Sequence, residues 1–187
     1  MNGENLRSTR NRDGVSIDVI VEIWIDRLRE DVARVSMDPA NDTAWIGGIS
    51  EARVVTGGSF GVGSRLARVA SFLGKRIEYV SEIDELEPGR RLEMHSVAGP
   101  LPMRITYGFA DGGEGGSAAR VRVEGDAGGF YAVASPLLRA QGRRSVTGDL
   151  RRLKRLLEQR QLWGALTATT TRSRSSWIPR RSSDRAL

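Results

Sequence analysis

The chain has 187 residues, enough for one domain with a buried core and short flanking segments. It has no cysteine, which excludes disulfides, thiolate metal sites and cysteine nucleophiles, and no stretch approaches the about 20 apolar residues of a membrane span. The formal net charge is +6. It divides into −4 over residues 1–128, +6 over residues 129–160 and +4 over residues 161–187. The basic character therefore lies in the last third of the chain, and the net charge does not favour a nucleic-acid partner.

The N-terminal segment predicts a leader followed by a strand. Residues 1–13 are polar, lack the apolar stretch of a signal peptide and are expected to be disordered. We therefore expect a soluble cytoplasmic protein. From Val15 to Trp24 apolar residues recur with a period of two, which is typical of a strand that shows one apolar face: Ile17, Val19, Val21 and Ile23.

Two short helices are expected next. Asp26 is placed to cap the first of them, with Glu30 and Asp31 in its early turns, where acidic side chains interact favourably with the helix dipole. Pro39 directly after Asp38 suits the first position of a second short helix or a turn.

A series of short strands follows, separated by glycine- and proline-containing turns. Short strands with regular turn signals are typical of an antiparallel meander. We expect strands over residues 51–55, 64–73, 76–85, 90–97, 102–109 and 118–125.

After Gly128 and Gly129 the apolar spacing changes to that of a helix. The pattern predicts one helix of about 30 residues that ends near Glu158, with a bend at Pro136 in its first third. Residues 161–187 are rich in Arg, Ser and Thr and are expected to be a disordered tail, which leaves residues 14–160 as the folded domain.

These elements predict an α+β fold with a curved antiparallel sheet of six to seven strands around a long C-terminal helix. The apolar face of such a sheet needs a cover, and the C-terminal helix is the only predicted element long enough to provide it. The two short helices between the first and second strands would close one end. Because a single helix cannot fill a deep trough, a cavity is expected between sheet and helix, and such a cavity is a candidate ligand site.

Short motifs through residues 15–158 support this arrangement. In chain order they are Asp31-Val32, Ser36-Met-Asp-Pro39, Trp45-Ile46 with Ile49, Gly61-Val-Gly-Ser-Arg65, Phe72-Leu-Gly74, Leu86-Glu-Pro-Gly-Arg-Arg-Leu92 and Asp149-Leu-Arg-Arg-Leu-Lys154. In this order and spacing the chain resembles the birch-pollen-allergen-like, lipid-transfer-like (SRPBCC) superfamily, which includes bacterial polyketide cyclase/dehydrase-type proteins. The resemblance implies a helix-grip fold with a hydrophobic cavity, and it implies no particular reaction, since members bind very different ligands.

The candidate ligand-binding residues lie on the strands, on the second short helix and on the long helix. On each strand they belong to the apolar phase, that is, to the alternate residues that point to the apolar side of the sheet. Tyr79 and Tyr107 are the polar points of interest, because a buried phenol needs a hydrogen-bond partner that a ligand can supply. The full set is Trp45, Leu66, Arg68, Ile77, Tyr79, Ser81, Met94, Met103, Ile105, Tyr107, Val121, Val123, Phe130, Ala134, Leu137 and Leu138.

Three features have ambiguous or unremarkable interpretations. The strand over residues 64–73 is mixed in both phases; we expect Arg68 to face outward, although an inward Arg68 would bind a carboxylate or enolate. His95, the only histidine, falls in a polar phase, so neither a metal site nor a catalytic site is expected there. Gly61-x-Gly63 lacks the third glycine and the following helix of a dinucleotide fingerprint and is interpreted as a turn, so no cofactor is expected.

Three functions remain open from the residues. The first is binding of a small hydrophobic molecule that is lipid-, aromatic- or polyketide-like. The second is a polyketide cyclase or dehydratase in which cavity Tyr, Ser or Arg side chains polarise a carbonyl. The third is an interaction role for the arginine-rich helix face and tail. The sequence does not determine whether the protein is an enzyme, nor its oligomeric state.

Overall fold

The structure is a computed structural model that describes residues 16–72, 74–100, 102–126 and 135–172. Within the last range, the described side chains are those of residues 139–159. The predicted leader and residues 173–187 of the predicted tail lie outside the described residues, as do Phe130 and Ala134.

The elements follow the predicted order. The strands are β1 (Ser16–Ile25), β2 (Ile49–Val54), β3 (Arg65–Phe72), β4 (Lys75–Glu87), β5 (Arg91–Ala98), β6 (Met103–Asp111) and β7 (Ser117–Asp126). The helices are α1 (Arg29–Ser36), α2 (Asp42–Trp45) and α3 (Ser135–Arg172), with short 3-10 turns at Pro39–Asn41 and Gly113–Gly115.

All seven strands form one antiparallel sheet in the order β1-β7-β6-β5-β4-β3-β2. The strands from β2 to β7 are neighbours in sequence and in space, whereas β1 returns to the far edge beside β7. The sheet curls into a half-barrel that holds α3 against its concave face. The predicted α+β, helix-grip architecture is therefore confirmed.

The helix α3 lies against β1 and α2. Leu150, Leu153 and Leu157 are buried on one side of α3, and Val19 and Val21 of β1 belong to the same core cluster. Toward its C-terminal end, α3 is attached to the end of β1 by polar contacts. The Arg27 guanidinium donates to the carbonyl oxygens of Leu157 and Glu158, and Lys154 Nζ donates to the carbonyl oxygen of Trp24 at 3.0 Å.

Two local predictions are corrected. The helix α1 begins at Arg29 with Leu28 at the N-cap and no side-chain cap, so Asp26 does not cap it. Instead, the Asp26 backbone N–H donates to the Glu158 carboxylate at 3.0 Å, which keeps this residue in the connection after β1. Glu30 and Asp31 lie in the first turn of α1, and Asp38 caps the turn that begins at Pro39, both as predicted.

The second correction concerns the end of α3. The described part of this helix runs from Ser135 to Arg172, past the expected end near Glu158. Pro136 lies at the edge of that described span, and the predicted helical residues before Ser135 lie outside the described residues.

Candidate functional site

The concave face of the sheet is a continuous surface of paired side chains. Residues directly opposite each other on neighbouring antiparallel strands point to the same face. The pairs run across five strands from β3 to β7: Arg68 with Tyr79, Ile83 with Met94, Met94 with Ile105, Leu92 with Tyr107, and Tyr107 with Val121. The predicted inward phase of strands β4 to β7 is thus the phase that faces the core.

This concave face is unevenly covered along the strand direction. On β4, Ser81 and Ile83 are buried; on β6, Tyr107 and Phe109 are buried. Toward the opposite end of each strand the inward side chains are only half-buried: Ile77, Tyr79, Met103, Ile105 and Val123. The apolar face is therefore closed at one end and partly exposed at the other.

Arg68 lies on the concave face at the boundary between these two regions. Its Nε donates to Asp42 Oδ2 of α2 at 2.7 Å, with the two side chains 2% and 1% exposed. Its Nη1 lies 3.0 Å from the sulfur of Met94. The expectation that Arg68 faces outward is therefore wrong. Leu66 and Arg68 share the inward phase of β3, and the buried arginine is tolerated because Asp42 supplies a counter-charge.

The two phenols next to this ion pair are held neutral. Burial raises the pKa of Tyr107 and of Tyr79, and the positive charge of Arg68 only partly opposes the effect. Burial acts to lower the pKa of Arg68, but interactions with Tyr107, Asp42 and Tyr79 outweigh burial, and the pKa is raised; the two phenols contribute only at the alkaline pH where they ionise. Burial also raises the pKa of Asp42 against the attraction of Arg68. At neutral pH this region therefore presents a charged guanidinium and neutral phenols.

Three buried polar atoms that face the concave side have no hydrogen-bond partner among the described residues. They are Trp45 Nε1 on α2, Ser81 Oγ on β4 and Ser117 Oγ at the start of β7. The Trp45 ring packs edge-on against Tyr107, with ring centroids 5.6 Å apart. An unpartnered buried donor costs about 1–3 kcal/mol, so these atoms are the ones to which a polar ligand atom would be most favourable.

The structure brings most of the predicted site residues together. Those on β3 to β7 lie on the concave face, and Trp45 lies against Tyr107: Leu66, Arg68, Ile77, Tyr79, Ser81, Met94, Met103, Ile105, Tyr107, Val121 and Val123. Leu137 and Leu138 belong to the first turns of α3, for which only the backbone is described.

Asp42 was missed by sequence reasoning. A signal for it exists: Asp42 and Trp45 are three residues apart on a short helix and so share one face, and a carboxylate beside a buried indole needs a cationic partner.

A groove of about 760 Å³ opens beside α1, at the edge of the sheet formed by β2. Ala52 and Val54 are among its lining residues and are paired with Arg68 and Leu66, so this part of the groove belongs to the concave face. Val54 is 40% exposed there. The other lining residues are mainly apolar: Ala33, Met37, Pro39, Ala40, Phe60, Leu86, Pro88 and Gly89. The charged lining residues are Glu30, Arg34, Asp38 and Arg53. None of the predicted site residues lines this groove.

His95 lies on the convex face, as its polar phase predicts. Its Nδ1 is 2.8 Å from Asp84 Oδ1, at an irregularity in the pairing of β4 with β5 between Ile83 and Glu85. The sequence did not reveal this carboxylate partner, because the pattern of one strand does not give its register against the next strand. Within the described ranges, three or more potential metal-ligating side chains come together nowhere.

Comparison with known proteins gives one family match and a large set of structural matches. A family model described as polyketide cyclase/dehydrase and lipid transport matches residues 16–158. No curated protein matches the sequence. No helix in the described residues is both long enough and apolar enough to cross a membrane.

Three solved structures illustrate the likeness. The Zhui aromatase/cyclase from Streptomyces sp. R1128 has a TM-score of 0.66 at 15% identity, over 78% of this chain and 95% of its own. A START superfamily protein from Mycobacterium smegmatis has a TM-score of 0.65 at 11% identity, over 76% and 97%. A protein from Thermus thermophilus has a TM-score of 0.64 at 21% identity, over 73% and 94%. At these identities the likeness establishes the fold alone.

Proposed function

The chain belongs to the polyketide cyclase/dehydrase and lipid transport family, and from this premise we propose that it binds a small hydrophobic molecule between the concave face of its sheet and α3. The ligand is lipid-, aromatic- or polyketide-like, as the apolar character of the face requires. The observation that carries the proposal is the partly accessible end of that face, where apolar side chains stand half-buried next to a buried polar cluster.

The half-buried side chains define where the apolar part of the ligand lies. They belong to β4, β6 and β7 and are Ile77, Met103, Ile105 and Val123. Covering them with a ligand would remove apolar surface from water, which contributes about 25 cal/mol per Å². In the full proposal Phe130, Ala134, Leu137 and Leu138 cover the ligand from the side of α3.

The polar cluster defines how the ligand is oriented. Tyr79 and Tyr107 are neutral phenols beside the Arg68 guanidinium, and Ser81 Oγ has no partner among the described residues. A ligand carbonyl or hydroxyl directed at this cluster would gain hydrogen bonds in a region of low dielectric, where they are strong. We therefore expect a ligand with an oxygen function at one end and an apolar body.

The experiment compares bulky substitutions on the two faces of the sheet. Native mass spectrometry of the purified protein tests for a retained small molecule, and titration with 1-anilinonaphthalene-8-sulfonate measures access to the apolar face. Ile105→Trp places a large ring at the half-buried concave position, whereas Val97→Trp places it at an exposed position on β5.

We expect Ile105→Trp to weaken probe binding roughly tenfold and to remove any retained molecule, and Val97→Trp to change neither. Probe binding that survives Ile105→Trp intact would contradict the proposed site. Loss of binding in Val54→Trp alone would move the site to the groove beside α1.

A second candidate, a polyketide cyclase or dehydratase, is favoured by one observation. Arg68, Tyr79 and Tyr107 form a group of donors in a water-poor region, and such a group can polarise a carbonyl of a folded poly-ketone chain. The double variant Tyr79→Phe/Tyr107→Phe separates the two functions. For an enzyme, it should keep affinity for a poly-ketone analogue and lose turnover; unchanged turnover would remove these phenols from catalysis.

We propose a cytoplasmic location for this activity, in keeping with the expectation from the sequence. Fractionation of cells that express the tagged protein would test it, and recovery of the protein in the medium or with the membrane fraction would contradict it.

A further inference from the structure

A second groove lies on the outer side of α3 and is lined by arginine. Its volume is about 530 Å³, and its basic lining residues, here called the arginine stripe, are Arg144, Arg151, Arg152 and Arg155. The opposite wall comes from the connection before β2 and from the end of β3: Gly47, Gly48 and Ser71. None of the residues of the proposed ligand site lines this groove, so it is a separate feature of the surface.

The stripe has little counter-charge. Most of the described arginines on the sheet and α1 form ion pairs, as Arg29 does with Asp111 and Arg122 with Asp18, and Arg53 and Arg120 are the exceptions. By contrast, none of the ion pairs among the described residues involves a member of the stripe: Arg144, Arg151, Arg152 or Arg155.

The acidic residue that lines the same groove, Asp149, is already engaged. Asp149 Oδ1 accepts a hydrogen bond from the Gly47 N–H at 2.7 Å. Burial raises the pKa of Asp149, with the Gly47 N–H and Arg152 opposing. One partly buried carboxylate therefore faces four guanidinium groups, and the groove keeps a positive charge.

Helix geometry aligns the stripe. Arg144, Arg151 and Arg155 are separated by seven and four residues, spacings that place them on one face of a helix. The distance from the first to the last is about 16 Å along the axis. Arg152 lies one step around the helix, with its guanidinium packed over Gly47, where an added Cβ would be 2.7 Å from Nη1.

We propose that the arginine stripe docks an acidic helical segment of a partner protein along α3. A stripe about 16 Å long is longer than a single phosphate or carboxylate can span, and it matches several acidic side chains on one face of a helix. Guanidinium groups are suited to carboxylates because they bind them in a bidentate manner.

Nucleic acid is the less favoured partner on two counts. Residues 1–128 carry a net charge of −4, so the rest of the domain repels a phosphate backbone that extends beyond the stripe. None of the described residues lining the groove is aromatic, so bases have no stacking surface there.

The test uses the full chain and a matched pair of double variants. Arg151→Gln/Arg155→Gln removes two charges from the stripe. Arg139→Gln/Arg143→Gln removes two charges from a different face of the same helix, and so changes net charge equally. The probe is a fluorescein-labelled helical peptide with glutamates at positions i, i+4 and i+11, compared with a scrambled peptide of the same composition and with a DNA duplex of similar charge.

At low salt we expect the stripe variant to bind the matched peptide roughly tenfold more weakly than the unmodified protein, and the control variant to change affinity by less than about twofold. Equal losses in both variants, or equal affinity for the scrambled peptide, would overturn the proposal in favour of a net-charge effect. Tighter binding of the DNA duplex, lost in the stripe variant, would overturn it in favour of a nucleic-acid surface. Neither result depends on the ligand proposed for the concave face.

Discussion

Arg68 and Asp42 form an ion pair across the interior of the protein, with Arg68 Nε 2.7 Å from Asp42 Oδ2 and almost no exposure of either side chain. The pair joins β3 to α2, and the two residues are 26 positions apart in the sequence. It also fixes the position of the one guanidinium that, among the described residues, reaches the candidate ligand site.

The first prediction concerns this ion pair. Asp42→Ala leaves the Arg68 guanidinium buried without a counter-charge and should lower the free energy of unfolding by about 3–5 kcal/mol. Asp42→Asn keeps an oxygen acceptor for Arg68 and should cost less. Urea unfolding followed by tryptophan fluorescence measures both.

The control is the exposed pair of Asp31 with Arg34, where Asp31→Asn should cost less than about 1 kcal/mol. Replacing both buried partners, as in Asp42→Leu/Arg68→Met, should recover most of the loss, because no buried charge is then left alone. A double variant as unstable as Asp42→Ala would contradict this account.

The second prediction is a loss of stability in alkali. Burial raises the pKa of Tyr107 above the ordinary value of 10.0, so the folded protein holds the phenolic proton more tightly than the unfolded chain. This contribution to stability is complete below pH 10 and is lost as the pH rises toward the higher folded value. The free energy of unfolding should therefore fall above about pH 10, and less steeply in Tyr107→Phe. Identical alkaline slopes for the two proteins would argue against a buried phenol.

The third prediction is an acid dependence that originates on the convex face. Burial acts to raise the pKa of Glu93, but its contacts with Arg104 and Arg91 outweigh burial, and the pKa lies below the ordinary value of 4.5. The resulting stabilisation is present above the unfolded pKa and is lost as pH falls through the lower folded pKa. Glu93→Gln should flatten the stability profile between about pH 5 and about pH 3. Glu114→Gln serves as the comparison, since this exposed carboxylate has no ion pair among those within the described residues.

The fourth prediction tests how Tyr79 is positioned. Gly99 has a φ of +121°, and a Cβ added to it would lie 2.6 Å from the Tyr79 Cβ and 3.1 Å from the Tyr79 Cα. Gly99→Ala should therefore shift Tyr79 and lower the free energy of unfolding by roughly 2–4 kcal/mol, which combines the cost of positive φ with the clash.

Gly58 provides the matched control, because it also has a positive φ, +89°, and a Cβ there would meet no atom within 4 Å. Gly58→Ala should cost only about 1 kcal/mol. If the two substitutions cost the same in urea unfolding, the contact between Gly99 and Tyr79 does not constrain the phenol.

The sequence predicted most of the candidate site because strands alternate. On β6 the large apolar residues fall in a single phase, and on β4 Ile77 and Ile83 share one, so these residues could be assigned to one face without knowledge of their neighbours. Where both phases are mixed, as on β3, the same reasoning does not determine a face, and the outward orientation expected for Arg68 was wrong.

Other features depended on contacts between distant residues. The bulge at Asp84 brings Leu86 opposite Leu92, and strand periodicity does not anticipate it. The contact of His95 with Asp84 depends on the register between β4 and β5. The net charge of a segment does not show which of its arginines form ion pairs. The sequence therefore could not reveal that the arginines of the stripe have no ion-pair partner among the described residues.

The sequence by itself determined the order of the elements, the antiparallel sheet, the covering helix and the apolar phase of most strands, since these follow from local periodicity and turn chemistry. Only the tertiary structure decided that Arg68 points inward, because the cost of burying a guanidinium depends on a partner that the chain brings from α2. It also decided which part of the concave face is left half-covered, because coverage depends on where α1, α2 and α3 come to rest against the curled sheet.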